Sequence, residues 1–139
     1  MINILLTLFI IFNSSLENKT TRVLNKHYES EVILVDTGRE DLRGRLYDVS
    51  NTNDKVFIGV ANSMHYTFDY MVLFNTDKEI QLVKVLVYRE NYGGEISSKR
   101  WLKQFIGLSK PKPFVDAISG ATISVHNMHK AINKLLRDL

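Results

Sequence analysis

Residues 66–88 read YTFDYMVLFNTDKEIQLVKVLVY. Two runs rich in aromatic and β-branched residues, 66–74 and 80–88, flank the segment Asn75–Lys78. The two runs have the composition of strands, and Asn, Thr and Asp between them are typical of a tight turn. Because so short a connection has no room for a crossover helix, the two strands are predicted to pair in an antiparallel sheet.

The chain before this hairpin predicts further strands. Lys55–Ala61 contains Val56, Phe57, Ile58 and Val60 and is expected to be a third strand, followed by a turn at Asn62–His65. Glu31–Val35 is expected to be a brief strand that ends at Asp36–Gly38, and residues 39–44 are expected to form a charged loop.

Helices are predicted on both sides of the sheet-forming region. Leu16–Tyr28 has the pattern of a short helix, and Ser97 or Ser98 is expected to cap a second one. A third helix is expected from about Ile123 to Leu136, because apolar residues recur there at helical spacing. The predicted fold class is therefore α+β, an antiparallel sheet packed with a C-terminal helix and short helices.

Composition narrows the possible functions. The chain has 139 residues, of which 45% are hydrophobic and 24% charged, as in one globular domain. It contains no cysteine, which excludes disulfides, thiolate metal sites and cysteine nucleophiles. The net charge is only +3, and basic residues are scattered among acidic ones from Lys19 to Arg137, so nucleic acid is not an expected partner.

The N-terminus has a different character from the rest. Ile2–Phe12 is an apolar stretch interrupted only by Asn3 and Thr7, too short to span a bilayer as a helix. It resembles the apolar core of a signal peptide, with Ser14 and Ser15 as small residues after it. Residues 1–15 are therefore predicted to be a signal peptide or short membrane anchor, and residues 16–139 the folded domain. The alternative is an N-terminal helix or strand that docks on the core.

The segment with the clearest chemical content is Asp116–Ser124, which reads DAISGATIS and precedes the predicted last helix. Amide groups at a helix N-terminus lack intrahelical acceptors, and the helix dipole favours an anion there. A phosphate is therefore well placed at Thr122. The alternative is ordinary capping of the helix by Ser119, Thr122 or Ser124.

Two motifs resemble one known family. Asp116–Thr122 resembles the flavinylation motif of FMN-binding domains, Asp-x-x-Ser/Thr-Gly/Ser-Ala-Thr, and Tyr88–Ile96 resembles the glycine turn of the same family. Such domains occur in the C subunit of the sodium-pumping NADH:quinone oxidoreductase and in the G subunit of Rnf complexes. The resemblance implies FMN held by a phosphoester to Thr122. The other cofactor-binding residues that we predict are Asp116, Ser119, Gly120, Ala121, Ser124, Tyr92, Gly93, Gly94, Glu95 and Ile96.

The resemblance also implies a role. It predicts an extracytoplasmic electron-transfer flavoprotein, located in the periplasm or on the cell surface. Association with a membrane is left open. Its predicted partners are an FAD-dependent flavin transferase and a membrane or secreted redox partner. Whether the chain is itself an enzyme stays open, and we assign no catalytic residue. The alternatives are a subunit of a membrane complex of the Rnf or NADH:quinone oxidoreductase type, a small flavin-dependent reductase, and a secreted binding module without a cofactor.

Two aromatic residues and two histidines are further candidates for roles at the site. Tyr92 or Trp101 could stack on a flavin, but Trp101 is better explained as a core anchor of its short helix. His126 and His129 are three residues apart on the predicted last helix, as metal ligands can be, but no third ligand is near them in the sequence. We therefore predict no metal site.

Overall fold

A computed structural model describes residues 14–139. Residues 1–13, which include the apolar stretch Ile2–Phe12 of the predicted signal peptide or anchor, lie outside the described residues. The elements in chain order are helix α1 (Ser14–Tyr28), strands β1 (Leu34–Asp41), β2 (Gly44–Val49), β3 (Lys55–Asn62), β4 (Thr67–Phe74) and β5 (Ile80–Val87), a 3₁₀ turn (Gly94–Ser97), helix α2 (Lys99–Leu102), a second 3₁₀ turn (Lys103–Phe105) and helix α3 (Thr122–Asp138).

The five strands form one antiparallel sheet in the order β1-β2-β3-β4-β5. Every neighbour in the sheet is also a neighbour in sequence, as expected for strands joined by short turns. The predicted hairpin is β4–β5, in which Met71 lies opposite Lys84. The α+β prediction is confirmed.

Both faces of the sheet are buried, because helices pack on each side of it. Since successive side chains of a strand point to opposite faces, the strands contribute to two separate apolar clusters. On one face, Phe57 and Tyr70 pack with Met128 and Ile132 of α3 and with Trp101 of α2. On the other face, the apolar side of α1 packs over the sheet in a second cluster, whose buried members are Leu24, Val32, Tyr47, Val49, Val56, Ile58, Met71 and Leu73. The long α3 and the glycine-containing segment before it therefore lie on the same side of the sheet as the short helices.

The predictions for residues 31–44 were wrong. Strand β1 begins at Leu34 and runs through the predicted loop to Asp41, and β2 follows after a turn at Leu42 and Arg43. Both turn residues have positive φ, 55° and 59°, as a two-residue hairpin with right-handed twist requires. Arg45 on β2 pairs across the strands with carboxylates of β1 at 2.8 and 2.6 Å, so the charges that suggested a loop line the surface of a hairpin.

The helix predictions were close. α1 and α3 each extend the predicted ranges by one or two residues at the ends. Ser98 caps α2, where its hydroxyl accepts a hydrogen bond from the Trp101 amide at 3.2 Å. Within residues 14–139, no helix combines the length and the apolar character needed to cross a bilayer.

Candidate functional site

A cleft of about 250 Å³ opens where the chain leaves β5 and where α3 begins. Its walls come from three separate stretches of sequence: the turn before β4, the segment that follows β5, and the first residues of α3 with the turn before them. The lining residues are Met64, Tyr88, Glu90, Tyr92, Gly120, Ala121, Thr122, Ile123 and Ser124. The two motifs singled out in the sequence therefore meet at one place.

The contact between the two motifs is between Gly93 and Ala121. Gly93 is buried and has a φ of +80°, a left-handed conformation that costs a residue with a side chain about 1–2 kcal/mol. A Cβ at this position would lie 2.6 Å from the Ala121 Cβ and 2.9 Å from the Tyr88 hydroxyl. Only glycine fits there, which explains why the turn after β5 can approach the start of α3 so closely.

Tyr88 links the same two segments by hydrogen bonds. Its hydroxyl donates to the carbonyl oxygen of Tyr92 at 3.1 Å and also bonds the Ser124 hydroxyl at 3.1 Å, so it bridges the glycine turn and the first turn of α3. Ser124 is almost fully buried, and this bond satisfies its hydroxyl. The Tyr88 ring packs against Phe68 with centroids 5.9 Å apart, which fixes the position of the bridge relative to the sheet.

The start of α3 has no side-chain cap. The N-cap position is Ala121, and none of Ser119, Thr122 or Ser124 gives the helix a capping hydrogen bond, so the capping explanation of these residues is wrong. The first intrahelical bond runs from the Val125 amide to the Ala121 carbonyl at 2.9 Å. Within the described chain, the amides of Thr122, Ile123 and Ser124 have no backbone acceptor, and they lie at the cleft.

The loop that carries the motif is held by α2 and by the 3₁₀ turn that follows it. The Trp101 indole Nε1–H of α2 donates to the Asp116 carbonyl at 2.7 Å, and the Asp116 amide donates to Gln104 Oε1 of the 3₁₀ turn at 2.9 Å. Trp101 is 5% exposed and packs edge-on against Phe105. Trp101 is therefore a core anchor, as favoured from the sequence, and it does not line the cleft. Asp116 is thus held by hydrogen bonds of its backbone, and the residue is exposed to solvent.

Glu90, in the segment after β5, holds the turn before β4 in place. Its Oε1 accepts hydrogen bonds from the Ser63 hydroxyl at 2.9 Å, from the His65 amide, and from the Tyr66 amide at 3.2 Å. The bond from the His65 amide is the main reason that the pKa of Glu90 is lowered, with the Ser63 and Tyr66 bonds adding to it. The carboxylate thus holds the turn that presents Met64 to the cleft.

The cleft brings together some of the predicted site residues and not others. Five predicted residues line it: Gly120, Ala121, Thr122, Ser124 and Tyr92. Gly93 does not line the cleft but packs against Ala121, which does. The other predicted residues lie outside its lining: Ile96 is fully buried in the core, and Asp116, Ser119, Gly94 and Glu95 are exposed elsewhere. The assignment of all these residues to a cofactor stays a prediction.

Four lining residues were not predicted. Met64, Tyr88, Glu90 and Ile123 join the cleft because of tertiary contacts. Tyr88 and Glu90 lie within the stretch that carries the resemblance, so their position just before the glycine turn was the available signal. Nothing in the local sequence marks Met64.

The two histidines of α3 are not brought together with further ligands. The His129 Nε2 contacts the Lys112 carbonyl at 2.5 Å and Asn133 Nδ2 at 3.0 Å, which fastens the loop before the motif to α3. His126 is exposed. Among residues 14–139, no group of three or more His, Asp or Glu side chains is arranged to hold a metal ion.

Comparison with known proteins identifies the domain. Residues 64–137 match the family model described as the FMN-binding domain. The match begins at the turn that carries Met64 and ends within the last turn of α3, so it contains every residue that lines the cleft. No curated protein matches the chain. Since the matched segment is more than half of the sequence, the chain belongs to the FMN-binding domain family.

Proposed function

We propose that this protein is an extracytoplasmic electron-transfer flavoprotein that carries FMN covalently, by a phosphoester to Thr122. The family supports FMN binding and an electron-transfer role. The geometry at the start of α3 supports Thr122 as the attachment point. An exposed threonine is the first residue of a helix without a side-chain cap, and it lines the cleft between the two family motifs.

The polar groups at the start of α3 suit a phosphate. The amides of Thr122, Ile123 and Ser124 are donors without backbone acceptors, and the N-terminal end of a helix of 17 residues favours negative charge. The carboxylate of Glu90, the acidic group of the cleft lining, has its Oε1 engaged by the turn at residues 63–66. The described residues therefore offer hydrogen-bond donors to a phosphate. The nearby Glu90 carboxylate is engaged in hydrogen bonds to the turn at residues 63–66.

The apolar groups around the cleft suit a flavin ring. Eight large hydrophobic residues are exposed in the described part of the chain, and three of them, Met64, Tyr92 and Ile123, line this cleft. Exposed apolar side chains that converge on one cleft are typical of a ligand site. Bound FMN would supply reversible redox chemistry, and the chain would contribute its orientation, exclude water from one side and tune its potential.

A tethered cofactor fits the proposed location. Outside the cytoplasm, FMN that dissociates is lost, whereas FMN bonded to Thr122 stays with the protein. In this proposal an FAD-dependent flavin transferase matures the chain, and a membrane or secreted redox partner exchanges electrons with it.

The test is intact mass together with in-gel flavin fluorescence after denaturation. The full chain is coexpressed with a flavin transferase, in wild-type form and as Thr122→Ala, Thr122→Ser and Ser109→Ala variants. Ser109→Ala is the matched control, because it removes an exposed hydroxyl outside both motifs that does not line the cleft. We expect the mass of one FMN moiety in the wild type and in Ser109→Ala, none in Thr122→Ala, and partial modification in Thr122→Ser.

Two results would contradict the proposal in different ways. Modification that persists in Thr122→Ala would place the bond on another residue. An unmodified wild type, with the transferase active on a control substrate, would refute the covalent linkage. Equilibrium binding of free FMN to that unmodified chain would then separate a non-covalent flavoprotein from a binding module without a cofactor.

A further inference from the structure

A second and larger depression lies on another part of the surface. It has a volume of about 820 Å³ and is bounded by α1 on one side, by α2 and the following 3₁₀ turn on the other, and by β5 at its base. We call it the basic groove. Its lining residues are Arg22, Val23, Lys26, His27, Leu82, Val83, Lys84, Lys99, Arg100, Leu102, Lys103 and Ile106.

The basic groove concentrates positive charge that is dispersed in the sequence. Six of its twelve lining residues are Lys or Arg, and none is Asp or Glu. None of the six forms an ion pair within the described chain. The whole chain has a net charge of only +3, so without these six the remainder would have −3. The expectation of evenly mixed charge holds along the sequence but does not hold at this surface.

The cations are close enough to affect one another. Lys84 lies on β5 at the base of the groove, and its pKa is lowered by partial burial and by the positive charges of Lys99 and Lys26. Those two neighbours stand on opposite walls, on α2 and α1. The structure thus holds uncompensated like charges together, an arrangement that a bound anion would relieve.

The groove is also lined by apolar side chains between the cations. Leu82, Leu102 and Ile106 lie among the cations, and Ile106 is 49% exposed. An occupant that fits both features has negative charges and apolar side chains. No Phe, Tyr or Trp belongs to the lining of this groove, and such rings are the usual stacking platforms for single-stranded nucleic acid.

An open sheet edge runs along the same groove. β5 is the last strand of the sheet, and the backbone bonds described on its outer side involve only Ile80, which pairs with Leu108 at 2.9 Å and Gly107 at 2.7 Å. The rest of that edge offers backbone groups of the kind that an extended polypeptide can pair with and that a lipid headgroup cannot match. The apolar segment Ile2–Phe12 of this chain has no carboxylate, so charge does not favour it as the occupant.

We propose that the basic groove is a docking surface for an acidic segment of a partner protein, one that presents carboxylates to both walls and also carries apolar side chains. Carboxylates pair with the walls, and apolar side chains contact Leu82 and Ile106. This inference does not depend on the flavin at Thr122. β5 leads from the groove to the cleft: the four residue steps from Lys84 in β5 to Tyr88, the residue after the strand, span about 13 Å, so a partner docked here would stand near the cleft.

The test is fluorescence anisotropy with the full chain and a labelled peptide of Glu-Glu-Leu-Leu repeats, which in extended form presents both Glu and Leu on each of its two sides. The groove variant is Lys26→Glu/Arg100→Glu, which reverses one exposed charge on each wall. The matched control is Lys110→Glu/Lys134→Glu, which changes net charge equally at exposed positions outside the groove. We expect salt-dependent binding that weakens at least ~10-fold in the groove variant and less than ~3-fold in the control.

The apolar component is tested separately with Ile106→Ser, whose exposed position should leave the fold intact by circular dichroism. We expect this variant to weaken the Glu-Leu peptide and to leave its charge dependence unchanged. Equal losses in the groove and control variants would overturn the proposal, as would absence of peptide binding at low salt. Groove-dependent binding that is tighter for phosphatidylglycerol vesicles or for a DNA oligonucleotide would assign the surface to a membrane or to nucleic acid, and would also overturn it.

Discussion

Gly93→Ala is the substitution whose cost the structure defines most closely. Gly93 has a φ of +80°, so an added side chain costs about 1–2 kcal/mol in the backbone alone. Its Cβ would also lie 2.6 Å from the Ala121 Cβ and 2.9 Å from the Tyr88 hydroxyl, and overpacking of this kind costs about 1–3 kcal/mol. We expect the free energy of unfolding to fall by about 2–5 kcal/mol, a large part of the 5–15 kcal/mol typical of a domain.

Two other glycines separate the contributions. Gly120 also has a φ of +80°, but a Cβ there would meet nothing within 4 Å, so Gly120→Ala should show only the backbone cost of about 1–2 kcal/mol. Gly94 has neither a left-handed φ nor a close neighbour, and Gly94→Ala should stay within about 0.5 kcal/mol of the wild type.

The assay is urea unfolding followed by circular dichroism, with the slope compared between variants to check that only stability has changed. Adding Ala121→Gly to Gly93→Ala removes the nearest clash, and the pair should show a favourable coupling of about 1 kcal/mol or more. The reasoning is refuted if Gly93→Ala is no less stable than Gly120→Ala, or if Ala121→Gly gives no coupling. Either outcome would mean that the two motifs do not touch as described.

Three further changes probe the supports of the cleft. Tyr88→Phe removes the bridge to the buried Ser124 hydroxyl and should cost about 1–2 kcal/mol in urea unfolding. Trp101→Phe removes the hydrogen bond to the motif loop and leaves a small cavity, so it should cost about 2 kcal/mol and speed limited proteolysis between residues 106 and 121. In the folded protein, the pKa of Glu90 is lowered below its ordinary value of 4.5. The ionised carboxylate therefore stabilises the fold above pH 4.5, and this stabilisation is lost as the pH falls through the lowered pKa. The His65 amide resonance should titrate with a midpoint below 4.5.

Matched variants exist for the Tyr88 and Glu90 tests. Tyr92→Phe alters a tyrosine that is 57% exposed and should stay within about 0.5 kcal/mol of the wild type. Glu90→Gln should abolish the titration of the His65 amide, whereas Glu95→Gln, on the exposed 3₁₀ turn, should leave it in place. A titration that survives in Glu90→Gln would assign it to another group. Proteolysis of Trp101→Phe at the wild-type rate would show that the loop is held by other contacts.

The fold was predictable where strands are buried and was not where they are exposed. β4 and β5 carry runs of aromatic and β-branched residues around a turn of ordinary composition, and the hairpin follows from these local signals. β1 and β2 have no such signal: most of β1 is exposed, and the turn between them is Leu42-Arg43 instead of a sequence with Asn or Gly. Their pairing is decided by β3, which lies beside β2, and this contact is not visible in the local pattern.

The candidate site divides in the same way. Its two motifs could be recognised because each is a short contiguous stretch with a characteristic composition. The contact of Gly93 with Ala121 and the bond of Tyr88 with Ser124 join positions 28 and 36 residues apart, so only the folded chain reveals them. The alternative of a simple helix cap could not be decided from composition, because serine and threonine are equally suited to either role.

The hydrogen bond between Trp101 and the Asp116 carbonyl has a practical consequence. Trp101 is the single tryptophan of the chain, so fluorescence excited selectively in tryptophan, and not in the six tyrosines, reports on one site next to the motif loop. A change in the mobility of that loop would alter the surroundings of the indole and shift its emission. An isoalloxazine in the nearby cleft absorbs in the range where tryptophan emits and would quench it by energy transfer. Trp101 is therefore an internal optical reporter for the proposed FMN site, and the proposed modification of Thr122 could be followed in real time without a label.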